Sequence, residues 1–279
     1  MLITITSSLK QQFKYLLVSF SAFTRIPIGT LDNFETSDLE HSIRYLPWIG
    51  LLFGLLCALT FIFLSQFTTI TVSVFIAIVV SGLLTGFFHE DGFSDTCDSF
   101  GAFDRDKKLQ IMKDSRIGVY GAVGIWFILT SKLLFISSVN LTMIMQLLIF
   151  GQCLSRITPI IIISRLDYVA TEDMAKFKPV AQHANRADLL IGILVIVPLI
   201  IFSPYMLLCL LAALILALLF LIPFAKKQLG GYTGDYLGFS QQFTEIMIYL
   251  MGALLWTCLL YTSDAADEGL GVDLGGRRI

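Results

Sequence analysis

Charge is scarce in this sequence, and it is missing in blocks. Only 14% of the 279 residues are Asp, Glu, Lys or Arg, while 56% are hydrophobic, which lies outside the range of ordinary soluble domains. No charge occurs between Leu46 and Phe88, 43 residues, or between Leu189 and Ala225. A membrane span needs roughly 20 apolar residues, so each block has length for two. An overall positive field is also lacking: the formal net charge is −2, so nothing global recruits nucleic acid. The five cysteines (57, 97, 153, 209, 258) are scattered, four of them in apolar segments. That excludes the paired spacing of a zinc site and an extracellular disulfide framework, and leaves small core residues. The N-terminus lacks a long apolar core with a small-residue cleavage site, so no cleaved signal peptide is expected.

What remains is a polytopic membrane protein. Ile117–Ser155 carries one charge, Lys132, and Ile246–Ser263 supplies another apolar run. The pattern predicts an all-α integral-membrane bundle of about seven transmembrane helices, roughly 46–68, 70–88, 117–139, 141–164, 188–203, 205–224 and 243–261. The turns near 69, 140 and 204 are short and uncharged, whereas 89–116, 165–187 and 225–242 are charged. Lys and Arg number 4 in the N-terminal arm, then 5, 4 and 2 in those connections. The positive-inside rule therefore places the charged side in the cytoplasm. Ahead of the spans, Leu9–Phe23 mixes Lys10 and Lys14 with Phe13, Leu16, Leu17, Phe20 and Phe23, the pattern of a helix lying in the membrane interface. Residues 1–261 are taken as one catalytic domain. After Tyr261 the composition changes to SDAADEGLGVDLGGRRI, so 262–279 is expected to be a polar tail, disordered or non-native. A native reading frame running through Ile279 at the locus would refute the non-native origin.

The chemistry concentrates in His89–Gly121, which packs seven carboxylates and five basic residues directly behind the first apolar block. Asp91, Asp95 and Asp98 stand at i, i+4 and i+7, so a helix sets them on one face. Like charges at that spacing destabilise a bare helix, and a divalent cation removes the problem. Mg²⁺ favours hard oxygen ligands and commonly bridges one or two carboxylates to substrate phosphates. The bland alternative is a solvated acidic loop. His89 is offset from the Asp face and suits support of a ligand or a general base. Arg116, just before the next span, could hold a phosphate bidentately or simply anchor at headgroups. Lys107, Lys108 and Lys113 read as interfacial charges.

A second constellation, LGGYTGDYLG at Leu229–Gly238, places Gly230, Gly231, Thr233, Gly234 and Asp235 on the same side. It is not a P-loop, because the G-K-[ST] ending is absent. A backbone-rich loop of this kind can wrap phosphate or ribose, and Asp235 can complete a metal shell or take a hydroxyl proton. Two charges fall inside apolar segments: Arg156 is expected to reach the site, and Lys132 to snorkel.

Together these strings resemble a known family. FFHEDGFSDTCDSFGAFDRDKKLQIMKDSRIGVYGAVG (Phe87–Gly124) is similar to the signature region of the cobalamin synthase, or adenosylcobinamide-GDP ribazoletransferase, family. LGGYTGDYLG resembles its second signature, with weaker likeness at Ser155-Arg156 and in FTRIPI (Phe23–Ile28). The resemblance covers roughly residues 13–257. It implies a membrane transferase that joins adenosylcobinamide-GDP to α-ribazole, or its 5′-phosphate, and releases GMP. It also implies Mg²⁺ as cofactor, a cell inner membrane location with the site facing the cytoplasm, no nucleic-acid partner, and contact with lipid. Tethering beside other nucleotide-loop assembly enzymes would account for the membrane. On this basis Asp91, Asp95 and Asp98 are expected to hold Mg²⁺ against the pyrophosphate, and Asp235 to be a further ligand or the base. His89 is the alternative base, and Arg116 and Arg156 clamp phosphates.

Two other classes compete. A CDP-alcohol phosphotransferase also uses Asp-Gly-rich acids at a membrane boundary, but places Ala-Arg after Asp-Gly and then Gly-x3-Asp-x3-Asp, which the stretch after Asp91-Gly92 does not do. An ion-coupled transporter commonly carries repeats and mid-membrane broken helices, and no repeat of 89–121 is evident.

Overall fold

The computed structural model describes residues 2–28, 35–169 and 181–271. Of these residues 81% are helical, and no strand occurs among them. In chain order the helices are α1 (Leu2–Phe23), α2 (Thr36–Ser42), α3 (Leu46–Leu64), α4 (Ile70–Thr85), α5 (Phe88–Asp98), α6 (Arg105–Ile111), α7 (Val119–Ser137), α8 (Leu141–Leu154), α9 (Ile157–Arg165), α10 (Arg186–Ile193), α11 (Ile196–Phe202), α12 (Pro204–Gln228) and α13 (Gly234–Gly271).

Local chemistry sets the boundaries. Asn140 starts α8 by accepting from the Met143 amide at 2.8 Å, and Asn185 with Asp188 forms a capping box on α10. Gly86, in the left-handed region at φ 70°, ends α4. Phe87 follows at φ 60°, so two successive left-handed residues turn the chain. The result is a 90° bend between α4 and the helix that runs from Phe88 to Gly101. The acidic block is therefore a helix, as the spacing of its aspartates predicts, set at a sharp angle to the apolar run before it.

Among the described residues, four helical stretches are long and apolar enough to cross a membrane: Ser37–Leu64, Val119–Ser137, Leu141–Arg165 and Pro204–Gln228. The bent α4–α5 pair would make a fifth. The chain is thus a multi-pass helical membrane protein with a less regular pattern than seven straight spans. The expected span 188–203 is divided into α10 and α11, of 8 and 7 residues. Pro198 lies in the first turn of α11; deeper in a continuous helix it would remove a hydrogen bond and clash with the carbonyl of Leu194. The expected span 243–261 lies within α13. That helix continues to Gly271, so the tail begins as helix rather than as irregular chain; residues 272–279 fall outside the described part.

The bundle core is apolar, with Phe53, Ile144, Leu147 and Phe150 fully buried. Gly54 of α3 lets that helix close on α8, since a Cβ there would lie 2.6 Å from the Cα of Ile149. Helix α1 is longer than the predicted Leu9–Phe23. Leu9 and Phe13 stay exposed on its outer side, as an interfacial helix requires. Polar contacts hold its inner side: Lys14 pairs with Asp38 at 2.6 Å, and Gln12 accepts from Arg44 and Tyr45 at 3.2 and 2.9 Å. Arg44 in turn pairs with buried Asp188 at the start of α10.

Candidate active site

The second polar string begins with a turn whose glycines serve packing. Gly230 adopts φ 77°, with the Arg105 guanidinium over it. Gly231 packs against the Asp167 carbonyl and Val169, where a side chain has no room. Tyr232 then pairs with the 167–169 segment through two backbone hydrogen bonds of 3.0 Å. Gly230 and Gly231 therefore build a turn, and the cleft lining starts beyond them in this string, at Tyr232. From Thr233 onward the expectation fares differently. The Thr233 hydroxyl accepts from the Tyr236 amide at 3.1 Å, capping α13. At Gly234, the first residue of α13, a Cβ would meet nothing within 4 Å.

Helix α13 then crosses α5 backbone to backbone. A Cβ on Gly92 would lie 2.7 Å from the Asp235 carbonyl oxygen, and one on Gly238 would lie 3.0 Å from the carbonyl oxygen of His89. This contact brings the two sequence strings to one cleft of about 390 Å³. Asp91 and His89 from α5, and Thr233, Gly234 and Asp235 from α13, line it. The end of α1, from Ser21 to Arg25, forms another wall, and Lys113 and Tyr168 complete the polar lining. Apolar Ile160, Ile163 and Met112 make up much of the rest.

The three aspartates share a helix, as their spacing predicts, but not a task. Asp91 is exposed to the cleft. Asp95 is buried one turn further on, outside the cleft lining. Asp98 caps α7, accepting from the Gly118 and Gly121 amides at 2.8 Å each. Among the described residues, no group of three His, Cys, Asp or Glu side chains is arranged to hold a metal ion. Of the three, Asp91 lines the cleft, where Asp235 joins it from the facing helix.

The expected phosphate clamps also move. Arg116 is 87% exposed and forks onto Asp114, at 2.7 Å for its shortest contact, away from the cleft. Arg156 is 2% exposed and donates to the carbonyl and side-chain oxygens of Gln152 at 2.6 and 2.7 Å. The cleft cations are Arg25 and Lys113 instead. Arg25 lies in the weakly distinctive FTRIPI string, and Lys113 was counted as an interfacial charge; their proximity arises only from the fold. His89 is 3% exposed and stacks on Phe88 with centroids 3.9 Å apart. Its Nδ1 has no hydrogen-bond partner among the described residues. Burial, with Asp235 nearby, pushes the Tyr168 hydroxyl above its ordinary value, so it stays a neutral donor beside the carboxylate.

This arrangement offers two hard carboxylates, a helix N-terminus with open space, and two cations around a part-apolar cleft. It suits a phosphate-bearing substrate with a bulky body. Comparison with known proteins points the same way. Residues 15–253 match the cobalamin-5-phosphate synthase family. The adenosylcobinamide-GDP ribazoletransferase of Shewanella amazonensis is 36% identical over 258 residues, covering 90% of this chain and 99% of its own. The enzymes of that name from Vibrio cholerae and Shewanella woodyi are 34% and 38% identical, covering 87% of this chain and 94% and 96% of their own. No solved structure matches the chain.

Proposed function

The chain belongs to the cobalamin-5-phosphate synthase family, and we propose that it transfers adenosylcobinamide phosphate from adenosylcobinamide-GDP to α-ribazole or its 5′-phosphate. The observation that carries this reading is the convergence of both signature strings on one cleft through the Gly92–Gly238 crossing. In the reaction a ribose hydroxyl oxygen bonds to the phosphorus next to the cobinamide, the pyrophosphate P–O bond breaks, and GMP departs with the electron pair. Amides in the first turn of α13 would donate to phosphate oxygens, and Arg25 and Lys113 would balance their charge. Asp235 or His89, both in the cleft lining, would take the hydroxyl proton, with the Tyr168 hydroxyl in the same lining.

The donor set fits Mg²⁺. Asp91 and Asp235 supply hard oxygens on facing helices, with open space at Gly234 between them and a ligand, and Mg²⁺ commonly takes its remaining ligands from water and phosphate. When bound, the ion supplies charge neutralisation at the phosphate oxygens. We further propose that the cleft faces the cytoplasm of an inner-membrane protein, because much of its lining, from His89 and Lys113 to Tyr168 and Asp235, comes from the charged connections of the sequence.

The test is product formation in membranes containing the protein, given adenosylcobinamide-GDP and α-ribazole or its phosphate, with Mg²⁺ or with EDTA. Adenosylcobalamin, or its phosphate, is expected with one GMP per product, and EDTA is expected to stop it. No product from folded, inserted protein overturns the reaction; full activity in EDTA overturns the metal.

A further inference from the structure

Behind His89, the bundle holds a buried polar network that the proposed chemistry leaves unused. Lys132 of α7 is 3% exposed, so it does not snorkel as predicted. Its Nζ lies 3.1 Å from Glu245 Oε2 on α13 and 3.8 Å from Glu90 Oε1 on α5. Glu245 also accepts from Gln152 and Tyr249 at 2.7 Å each and from Gln241 at 3.0 Å. Glu90 accepts from Gln242 of α13 at 3.1 Å.

Stability is a poor reason for this arrangement. Buried ions lose several kcal/mol of hydration each, and well-packed apolar replacements are often as stable or more so. Geometry supplies a better one. The Gly92–Gly238 contact sets how closely α5 and α13 approach, and Phe93 stacks on Phe239 and Gln242 donates to Glu90 along the same seam. A charged tie through a third helix, α7, adds a hold on their angle. Glu90 immediately precedes Asp91, and Glu245 stands seven residues beyond Gly238 on the helix that begins with Gly234 and Asp235.

We infer that Lys132 is a positioning residue: by bridging Glu90 and Glu245 it locks α5 against α13 and so fixes Asp91 relative to Asp235 across the cleft. As a catalytic statement this rests on the proposed transfer reaction. The tie between the helices does not.

Glu90→Gln is the primary test. It is nearly isosteric, keeps an acceptor for Gln242 and leaves Lys132 paired with Glu245. We expect kcat per folded molecule to fall about tenfold or more, with KM for both substrates within about twofold. Lys132→Met alone strands two buried carboxylates; adding Glu245→Gln leaves only Glu90, which keeps its Gln242 donor, so this pair is used to cut the tie from its other end. That pair should reproduce the effect, and all three substitutions together should be no slower than either set, since each removes the same tie. Normal kcat in Glu90→Gln, or effects that multiply independently, would overturn the inference. A substrate-free readout separates it from the reaction itself. Spin labels at exposed positions 103 and 254, in a background without native cysteines, should show a broader distance distribution in Glu90→Gln. An unchanged distribution refutes the tie. A broadened one in a protein that forms no ribazole-transfer product refutes the reaction and keeps the tie.

Discussion

Asp91 and Asp235 reach the same cleft from two helices, and neither has a substitute there. Removing the charge of Asp91 as Asp91→Asn should lower turnover by at least about 10²-fold, while the protein still inserts in the membrane. Near-normal turnover would remove Asp91 from the site. A sharper discrimination concerns two cations three residues apart. Lys113→Ala should raise KM for the guanine-nucleotide substrate about tenfold, the usual scale for a charged hydrogen bond, whereas Arg116→Ala should leave kinetics and stability unchanged. Steady-state kinetics on both variants check this, and the reverse pattern would restore the sequence-based assignment. Asp91, His89, Asp235, Thr233 and Gly234 were visible as candidates because acids and glycines at a membrane boundary are conspicuous. The role of Asp98 was not, since the amides it caps lie 20 and 23 residues further along. Nor was the difference between Lys113 and Arg116: one follows the end of α6, the other precedes α7, and composition treats both alike.

Helix α5 owes its place to small residues as well as to the buried Phe93, which stacks on Phe239 of α13. Gly92→Ala would set a methyl group 2.7 Å from the Asp235 carbonyl, and rigid backbone cannot yield as a side chain does. We expect a loss of about 1–3 kcal/mol from overpacking, together with slower turnover, because the same displacement parts the two carboxylates. Thermal unfolding and the transfer assay should fall together; a stable, fully active Gly92→Ala protein would show that the crossing is looser than drawn. At this scale, apolar runs marked most of the helices well. They failed where backbone conformation decides direction. An uncharged run through Phe88 gave no sign that Gly86 and Phe87 both turn left-handed and swing α5 by 90°, although a glycine at that point is the usual mark of a helix end. Pro198 likewise splits a stretch whose hydropathy reads as continuous.

For the whole molecule, the expected sidedness follows from where Lys and Arg are absent as much as from where they occur. Phe103 is fully exposed between α5 and α6, so a cysteine there, with Cys258 replaced, reports which side the acidic end occupies. Impermeant maleimide should modify it in inverted vesicles and not in right-side-out ones. Modification from outside would reverse the orientation of the cleft. The class of the protein was legible from composition alone, and its family from two strings, because both are local properties. The cleft was not, because it is assembled from α1, α5, α6, α9 and α13, and no periodicity encodes which helix ends meet.

One wall of that cleft belongs to α1, whose attachment runs through Lys14, Gln12 and Arg44 to neighbouring protein groups, while Leu9 and Phe13 face outward. The contacts that hold this wall in place are thus made within the polypeptide. A detergent micelle that wets the same two side chains leaves the inner contacts untouched. The shape of the cleft on this side is therefore expected to survive extraction from the bilayer.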